Sequence, residues 1–206
     1  GVFSKKIIVP FCPESKLSGL EIKDFMPCVW YRRTFELKEL KRTLIHFGAV
    51  DYHAEVWING HSVGTHVGGY VGFTFDITDF VKVGVNEVVV CAADDTRSGK
   101  QPIGKQSFRY DSHGCHYTRT TGIWQTVWLE QVSDTYISNL KMVPDINNQR
   151  INITVFLEGN VRDGSNLKID ARSSYEGKDT GSVEVKGNWR QVSFSIQLSE
   201  LHLWEP

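Results

Sequence analysis

Hydrophobic and polar residues alternate with a period of two along most of this chain, and glycine, asparagine and aspartate interrupt the alternation at short intervals. Such a pattern is typical of half-buried β-strands, because an amphipathic helix would repeat every three or four residues. The clearest unit joins residues 54–58 to residues 61–64 through Asn59-Gly60. Asn-Gly favours the positive φ angles of a two-residue hairpin turn. The pattern predicts an all-β protein with a hairpin at this point.

The first part of the chain contains five further alternating segments, which predict strands at residues 30–35, 43–47, 73–77, 87–92 and 126–130. Residues 76–80 predict a single helical turn, since Thr78 and Asp79 are both able to cap one. Many strands of similar length with long returns suit a jelly-roll β-sandwich. We therefore assign residues 1–132 to a jelly-roll domain.

A second group of alternating segments begins near Ser133. Turns such as Asn147-Asn148 and Arg162–Ser165 separate its strands, which are predicted at residues 137–143, 151–157, 167–173, 181–185 and 191–198. Five strands at this spacing indicate an immunoglobulin-like sandwich. Because the sequence stops at Pro206 before such a sandwich would be complete, residues 133–206 are predicted to form only part of it.

Composition excludes several classes of partner. The net charge is −1, so the chain lacks the cationic field that binds nucleic acid. No stretch approaches the roughly 18 apolar residues that cross a bilayer, and the first residues lack the apolar core of a signal peptide. These observations predict no membrane partner and make the cytoplasm the default location. Since Gly1 is not an initiator residue, the location otherwise stays open.

The sequence predicts structural roles for the cysteines and for three of the tryptophans. Four cysteines are too few for a disulfide scaffold, and none has zinc-ribbon spacing, so free thiols are expected. Cys91 follows three valines and is interpreted as a small core residue. Trp30, Trp57 and Trp128 lie in alternating segments, and core packing is the expected role of each.

The regular alternation breaks between Asp94 and Trp128, and we call this stretch the 94–128 segment. A connection of this length and polarity is uncommon in a compact domain unless it binds or covers something. Carboxylates, amides and guanidinium groups can bind sugar hydroxyls, while aromatic rings can stack on the C–H face of a sugar. The segment supplies such groups in its candidate binding residues Asp94, Arg97, Gln101, Tyr110, Asp111, His113 and Trp124.

Neither a metal site nor a catalytic pair is predicted in the 94–128 segment. His113, Cys115 and His116 are too few ligands, and the last two are adjacent, which hinders shared tetrahedral coordination. Asp94 and Asp95 are also adjacent, so on an extended chain their side chains point to opposite faces. Two carboxyl groups that act together on one bond must face it from about 5–5.5 Å apart. We therefore expect no catalytic residue, no metal and no cofactor in this chain.

Several ordered motifs between residues 8 and 130 resemble the N-terminal sugar-binding domain of family 2 glycoside hydrolases, which include β-galactosidases, β-glucuronidases and β-mannosidases. The motifs are Pro10–Glu14, Val29–Phe35, Val56–Gly60, Gly68–Thr78, Gly84–Val90, Gly122–Trp124 and Val127–Leu129. The resemblance implies a jelly-roll of the galactose-binding type, then an immunoglobulin-like domain, then a (β/α)8 barrel that holds the active site. This chain contains no barrel, so the resemblance implies hydrolysis of O-glycosidic bonds by the parent protein and an inactive fragment here.

The resemblance also carries two expectations about individual residues. In the family a loop of the first domain contributes an aspartate to the substrate pocket, and Asp111 is the first candidate for that role, followed by Asp94. The family's acid/base residue lies in an Asn-Glu dipeptide. Asn86-Glu87 copies it, but the surrounding sequence predicts a turn and a solvated glutamate at a strand start.

Three alternatives remain open from the sequence. Arg109, Asp111 and Arg119 are able to form ion pairs that dock this domain on the barrel without touching sugar. The chain is also compatible with a free-standing carbohydrate-binding module or with a structural β-sandwich adaptor. The expected partners are a β-glycoside and the barrel domain, and the sequence leaves open whether the parent protein is a homo-oligomer.

Overall fold

The computed structural model of the chain describes residues 3–161, 167–187 and 190–204. The chain divides into two compact units between Val132 and Ser133. Strands dominate both units, which confirms the predicted all-β fold class. In the described ranges no helix is long and apolar enough to cross a membrane.

The first unit is built from antiparallel strands. One sheet has the order β1-β7-β4-β5 and a second has the order β6-β2-β9, while β3 pairs with β8. Their bounds are β1 (Cys28–Leu37), β2 (Arg42–Phe47), β3 (Val50–Asp51), β4 (His53–Ile58), β5 (His61–Val67), β6 (Phe73–Asp76), β7 (Gly84–Ala93), β8 (Gly122–Ile123) and β9 (Val127–Val132).

Alternation along the strands produces the core of this unit. In β4, Ala54, Val56 and Ile58 are fully buried, while the residues between them are more exposed. Burial of such aliphatic side chains contributes on the order of 1.5–3 kcal/mol each. They belong to one cluster of buried residues, which comprises Ile45, Phe47, Val50, Ala54, Val56, Ile58, Ile77, Val90, Ala92 and Ile123.

The hairpin prediction at Asn59-Gly60 is confirmed, with φ angles of 50° and 85°. The Asn59 side chain also connects this turn to β7. Its Oδ1 accepts a hydrogen bond from Glu87 N at 2.9 Å, and its Nδ2 donates to Asn86 Oδ1 at 2.9 Å. Asn86 is buried and its side-chain nitrogen donates in turn to the carbonyl oxygens of Lys82 and Gly84. The turn is therefore held by a network of amide groups.

The predicted helical turn is present as a 3-10 helix at Thr78–Phe80, but its predicted caps are wrong. Ile77 occupies the N-cap and makes no side-chain capping bond. Instead the Asp76 carboxylate accepts a hydrogen bond from Thr78 N at 3.1 Å. The residue that stabilises the turn is thus Asp76, which precedes Thr78 and Asp79, the two residues that we expected to cap it.

Core packing is the wrong role for two of the three tryptophans. Trp30 is 48% exposed and stacks on the half-buried Trp57 with ring centroids 5.4 Å apart. Trp128 is 46% exposed and stacks on His46 at 4.8 Å. Alternation shows that one set of residues faces inward but does not show which set. In β9 the inward set is Val127 and Leu129, so Trp128 faces outward.

The second unit has two antiparallel sheets in the described residues, one with the order β10-β11-β14 and a pair formed by β12 and β13. Val155, Leu157 and Ile196 are its buried hydrophobic residues. The predicted turn at Arg162–Ser165 lies outside the described residues. The strand bounds are β10 (Thr135–Asp145), β11 (Arg150–Gly159), β12 (Leu167–Tyr175), β13 (Lys178–Gly187) and β14 (Gln191–Gln197).

Gly122 in β8 offers a test of packing in the first unit. Its φ is 76°, and a Cβ atom there would overlap the hydroxyl oxygen of Tyr31. Gly99 has a similar φ of 72° but open space around it. We expect Gly99→Ala to lower the free energy of unfolding by about 1–2 kcal/mol, from backbone strain alone. Gly122→Ala should cost several kcal/mol, because strain and overlap add.

Urea unfolding followed by tryptophan fluorescence measures both variants of this pair. Equal losses of stability at the two glycines would show that the contact between Gly122 and Tyr31 does not limit packing.

Candidate functional site

The 94–128 segment leaves the four-stranded sheet at the end of β7. Its first residue donates a backbone hydrogen bond from Asp94 N to Pro27 O at 3.1 Å, so the segment starts beside the residues that precede β1. Two isolated bridges, Gln106 with Tyr117 and His113 with His116, fold it back on itself before β8. The segment therefore folds back on itself and is not an extended connection.

The buried side chain of Arg119 holds this structure together. Its guanidinium group donates to the Arg109 carbonyl oxygen at 2.6 Å and to the Lys23 carbonyl oxygen. It also lies over the Phe25 ring, 4.2 Å from the centroid. Only 2% of the residue is exposed. The hypothesis that Arg119 docks another domain is wrong, because its charge is used inside the unit.

A second anchor fixes the outermost part of the segment, residues 107–113, which we call the tip. The buried Ser107 hydroxyl donates to the Asp111 carbonyl oxygen at 2.7 Å and lies 3.1 Å from His113 Nδ1. Its oxygen also accepts a hydrogen bond from Arg109 N at 3.1 Å. These bonds use backbone groups of the tip, so the side chains of Asp111 and Tyr110 stay exposed. The tip thus presents a carboxylate and a phenol from a fixed backbone.

Three buried carboxylic acids accept hydrogen bonds from side chains of the segment, and one of them, Asp94, is itself part of it. Glu14 accepts a hydrogen bond from the Thr121 hydroxyl at 2.6 Å. Asp51 accepts from Gln106 Nε2 at 3.1 Å, and Asp94 accepts from Gln101 Nε2 at 2.7 Å. The acids are 4–5% exposed. Asp94 and Gln101 were candidate site residues, whereas sequence reasoning missed Glu14 and Asp51.

Burial raises the pKa of all three acids. It raises the pKa of Asp51 to about 7, and the negative charges of Asp94 and Glu14 add to that rise. It also raises the pKa of Asp94, where hydrogen bonds from Gln106 and Gln101 offset part of the effect. The pKa of Glu14 is raised as well, against hydrogen bonds from Thr121. The cause is desolvation, which disfavours the charged form.

A small cleft lies where the segment meets the residues that precede β1. It has a volume of about 40 Å³, which is room for water or a single hydroxyl group and far below the roughly 300 Å³ of ligand pockets. In the part of the chain that the structure describes, Asp94 Oδ2 and Arg119 Nε have no hydrogen-bond partner. The lining residues are Phe25, Met26, Pro27, Asp94, Asp95, Thr96, Arg97, Arg119 and Thr121.

The seven candidate binding residues occupy three places. Asp94, Gln101 and Arg97 belong to the cleft and its wall, where the Arg97 guanidinium lies 4.1 Å from the centroid of the Phe25 ring. A second group lies on the tip and consists of Tyr110, Asp111 and His113. Trp124 stands apart, since its Nε1 donates to the Gly69 carbonyl oxygen at 2.8 Å and its ring meets Tyr70 edge to face. Arg119 connects the first two places.

Histidine and cysteine residues near the tip form an aromatic cluster. The rings of His113 and His116 stack with centroids 4.9 Å apart, and both meet Phe108 edge to face. The Cys115 sulfur lies 3.9 Å from His116 Nδ1. Among the described residues, no three side chains of His, Cys, Asp or Glu are grouped as metal ligands.

The two acidic motifs that suggested catalysis have structural environments. Asp94 points inward, whereas Asp95 is exposed and its Oδ1 accepts hydrogen bonds from Arg97 N and Ser98 N. Asn86-Glu87 lies inside β7, which begins at Gly84, so the predicted turn at 84–86 is wrong. Glu87 lies 3.7 Å from the Arg32 guanidinium in a partly exposed ion pair.

The raised pKa of Asp51 makes stability depend on pH. The folded state keeps a proton that the unfolded chain releases, so stability falls as pH rises from about 4 to about 7 and then levels. Between pH 5 and 8 we expect a loss of about 3 kcal/mol from this group. Asp51→Asn should remove most of that loss, as measured by urea unfolding at both pH values.

Asp76→Asn provides the matched control. Burial acts to raise the pKa of Asp76, but hydrogen bonds from Thr78 and the charge of Arg42 outweigh it and leave the pKa lowered. Its contribution therefore changes below about pH 4, outside the tested window. A wild-type chain whose stability does not fall between pH 5 and 8 would contradict the burial argument.

Several known proteins that are similar to this chain are named as glycosidases. The model of the glycosyl hydrolases family 2 sugar binding domain matches residues 14–132. A β-galactosidase from Thermoanaerobacter pseudethanolicus is 31% identical in an alignment of 193 residues that covers 89% of this chain and 25% of that protein. The β-glucuronidase of Felis catus is 24% identical in an alignment of 213 residues that covers 90% of this chain and 31% of that protein.

Solved structures give the same fold. The Bifidobacterium dentium β-glucuronidase, solved with coumarin-3-O-glucuronide, superposes with a TM-score of 0.68 at 19% identity, covering 96% of this chain and 37% of that one. The chain thus spans about a quarter to a third of the length of these relatives. Because the family model covers more than half of the sequence, this chain belongs to family 2 of the glycosyl hydrolases and carries the family's sugar-binding domain.

Proposed function

We propose that this chain is a non-catalytic part of a β-galactosidase- or β-glucuronidase-like enzyme that hydrolyses O-glycosidic bonds. The names of the relatives and the fraction of each relative that the chain covers support this proposal. A (β/α)8 barrel elsewhere in the longer protein supplies the catalytic residues. The first unit supports the barrel, and its 94–128 segment borders the active site.

The observation that carries the proposal is the rigid base and exposed tip of the 94–128 segment. Arg119 and Ser107 use backbone carbonyls to hold the tip, and these bonds leave the side chains of Tyr110 and Asp111 uncommitted to the fold. A side chain on a fixed backbone loses less entropy on binding than one on a mobile loop. The tip is therefore suited to reach a substrate held by another domain.

The two candidate aspartates have different roles in this proposal. Asp111 is exposed, and its carboxylate accepts hydrogen bonds from sugar hydroxyls or from the barrel. Asp94 is buried and lines the cleft together with Arg119, and among the described residues its Oδ2 and Arg119 Nε have no hydrogen-bond partner. Because an unpaired buried polar group costs about 1–3 kcal/mol, the cleft favours a small polar occupant.

We assign catalysis to the barrel because the buried carboxylic acids of this chain already accept hydrogen bonds from neighbouring side chains. Glu14, Asp51 and Asp94 accept hydrogen bonds from Thr121, Gln106 and Gln101. A retaining mechanism needs two carboxyl groups on opposite sides of an accessible scissile bond, about 5–5.5 Å apart. The cleft admits one hydroxyl group rather than a sugar ring.

The isolated 206-residue chain should not hydrolyse aryl β-glycosides. We expect release of nitrophenol from nitrophenyl β-galactoside and β-glucuronide at the rate without protein, since we assign the acid/base pair to the barrel. Turnover that follows the protein through two chromatographic steps would refute the assignment of catalysis to another domain.

In the complete enzyme, Asp111→Ala should lower kcat/KM more than Glu87→Ala. If Asp111 bonds a sugar hydroxyl, we expect a loss of about 10-fold to 200-fold, as for removal of one charged hydrogen-bond partner. Glu87 makes only a partly exposed ion pair with Arg32, so its removal should have an effect below about two-fold. Steady-state kinetics on both variants measures the difference, and equal effects would remove Asp111 from the substrate contact.

A free-standing carbohydrate-binding module is the second candidate function, and the sugar-binding description of the matched domain favours it. Calorimetric titration of the isolated chain with galactose, glucuronate and mannose separates the two candidates. Saturable binding without the barrel supports the module, whereas the supporting role predicts none. The cleft is too small to enclose a monosaccharide, which is why we prefer the supporting role.

A further inference from the structure

Two cysteines lie next to each other on the outer face of the four-stranded sheet. The register places Cys28 of β1 opposite Ala93 and places Trp30 opposite Cys91 of β7. Side chains two residues apart on a strand share a face, so Cys28 and Cys91 are diagonal neighbours on that face. Their sulfur atoms are 2.9 Å apart, and both cysteines are free thiols.

This arrangement is close to what a covalent bridge requires. A disulfide needs its sulfur atoms about 2.05 Å apart and its two Cα atoms within about 7 Å. The Cys28 and Cys91 sulfurs need to approach by less than 1 Å, and the strands that carry them are already paired in register. The neighbours of the other two cysteines are different groups: Cys12 interacts with Glu14 and Cys115 with His116.

We propose that Cys28 and Cys91 form a reversible cross-strand disulfide when the protein meets a small-molecule disulfide such as glutathione disulfide. The Cys28 thiolate attacks one sulfur of the oxidant, which forms a mixed disulfide and releases one thiolate. Cys91 then gives up its proton and attacks the Cys28 sulfur, which releases the second thiolate. In sum, two protein thiols are oxidised to one disulfide, and one small-molecule disulfide is reduced to two thiols.

Exposure decides which cysteine reacts first. Cys28 is exposed, so an oxidant reaches its sulfur directly. Cys91 is partly covered, and its pKa is raised to about 12 by burial, with the hydrogen bond to Cys28 and the charges of Cys28 and Glu55 adding to the rise. Since the thiolate is the nucleophile, Cys28 is the residue that attacks the oxidant, and Cys91 is the resolving residue that attacks the mixed disulfide.

The bridge would act at the base of the cleft. Cys28 follows Pro27, and Cys91 lies three residues before Asp94, while the Asp94 N to Pro27 O hydrogen bond joins these two chain segments. β1 pairs only with β7 within its sheet, so it is an edge strand. A covalent bond between β1 and β7 would keep the wall of the cleft from separating when the edge frays.

The experiment uses the 206-residue chain treated with glutathione disulfide and then probed with a maleimide. We expect two of the four thiols to become unreactive, with the chain monomeric and a Cys28–Cys91 peptide pair found by mass spectrometry without reduction. The midpoint of thermal unfolding of the first unit should rise by about 5 °C or more, because a closed loop constrains the unfolded chain. Dithiothreitol should reverse both changes.

Serine variants test whether this pair carries the effect. Cys28→Ser should abolish the protection and the thermal shift, while Cys115→Ser, which removes another exposed thiol, should leave both unchanged. Cys28 is exposed, so its serine variant should fold, and its reduced midpoint should equal that of the reduced wild type. Four reactive thiols after oxidation, a bridge involving Cys12 or Cys115, or cross-linked dimers in place of the internal bridge would each overturn the proposal.

Discussion

One buried guanidinium group organises the functional region of this protein. Arg119 donates hydrogen bonds to backbone carbonyls of the 94–128 segment and to Lys23, which precedes the first strand by five residues. A buried charge is costly unless it is hydrogen-bonded, and the two terminal nitrogens of Arg119 obtain their bonds from these carbonyl groups. The segment consequently has one arrangement relative to the sheet, and both the cleft and the tip depend on it.

Under the proposed function, the first unit shapes an active site whose catalytic groups lie in another domain. Its polar groups have two roles. Buried acids and amides hold the backbone in place, and exposed groups on that backbone face outward. Ser107 illustrates the division, because its hydroxyl is buried and bonds the backbone of Asp111 while the Asp111 side chain is exposed. Positioning is then the contribution of this unit, and chemistry is left to the barrel that we propose.

Local sequence patterns were sufficient to predict most strands but not to predict the contacts of the candidate site. Alternation and the Asn-Gly turn depend on neighbouring residues, so the hairpin and the longer strands were predictable from the sequence, whereas the two-residue strands β3 and β8 were not predicted. The partners of the buried acids are distant in sequence: Glu14 bonds Thr121 and Asp51 bonds Gln106. No periodic signal marks such contacts, which is why Glu14 and Asp51 were missed. The outward direction of Trp128 was missed for a related reason, since either face of a strand can carry rings.

The amide network around Asn59 has a consequence for how the sheet assembles. The turn residue itself bonds Asn86 and Glu87, which come 27 and 28 residues later in the chain. A hairpin normally needs only its own two strands, but this one gains its full set of bonds after β7 has arrived beside β4. Local and long-range order are therefore formed together, and the first unit should gain or lose this turn as part of one cooperative event.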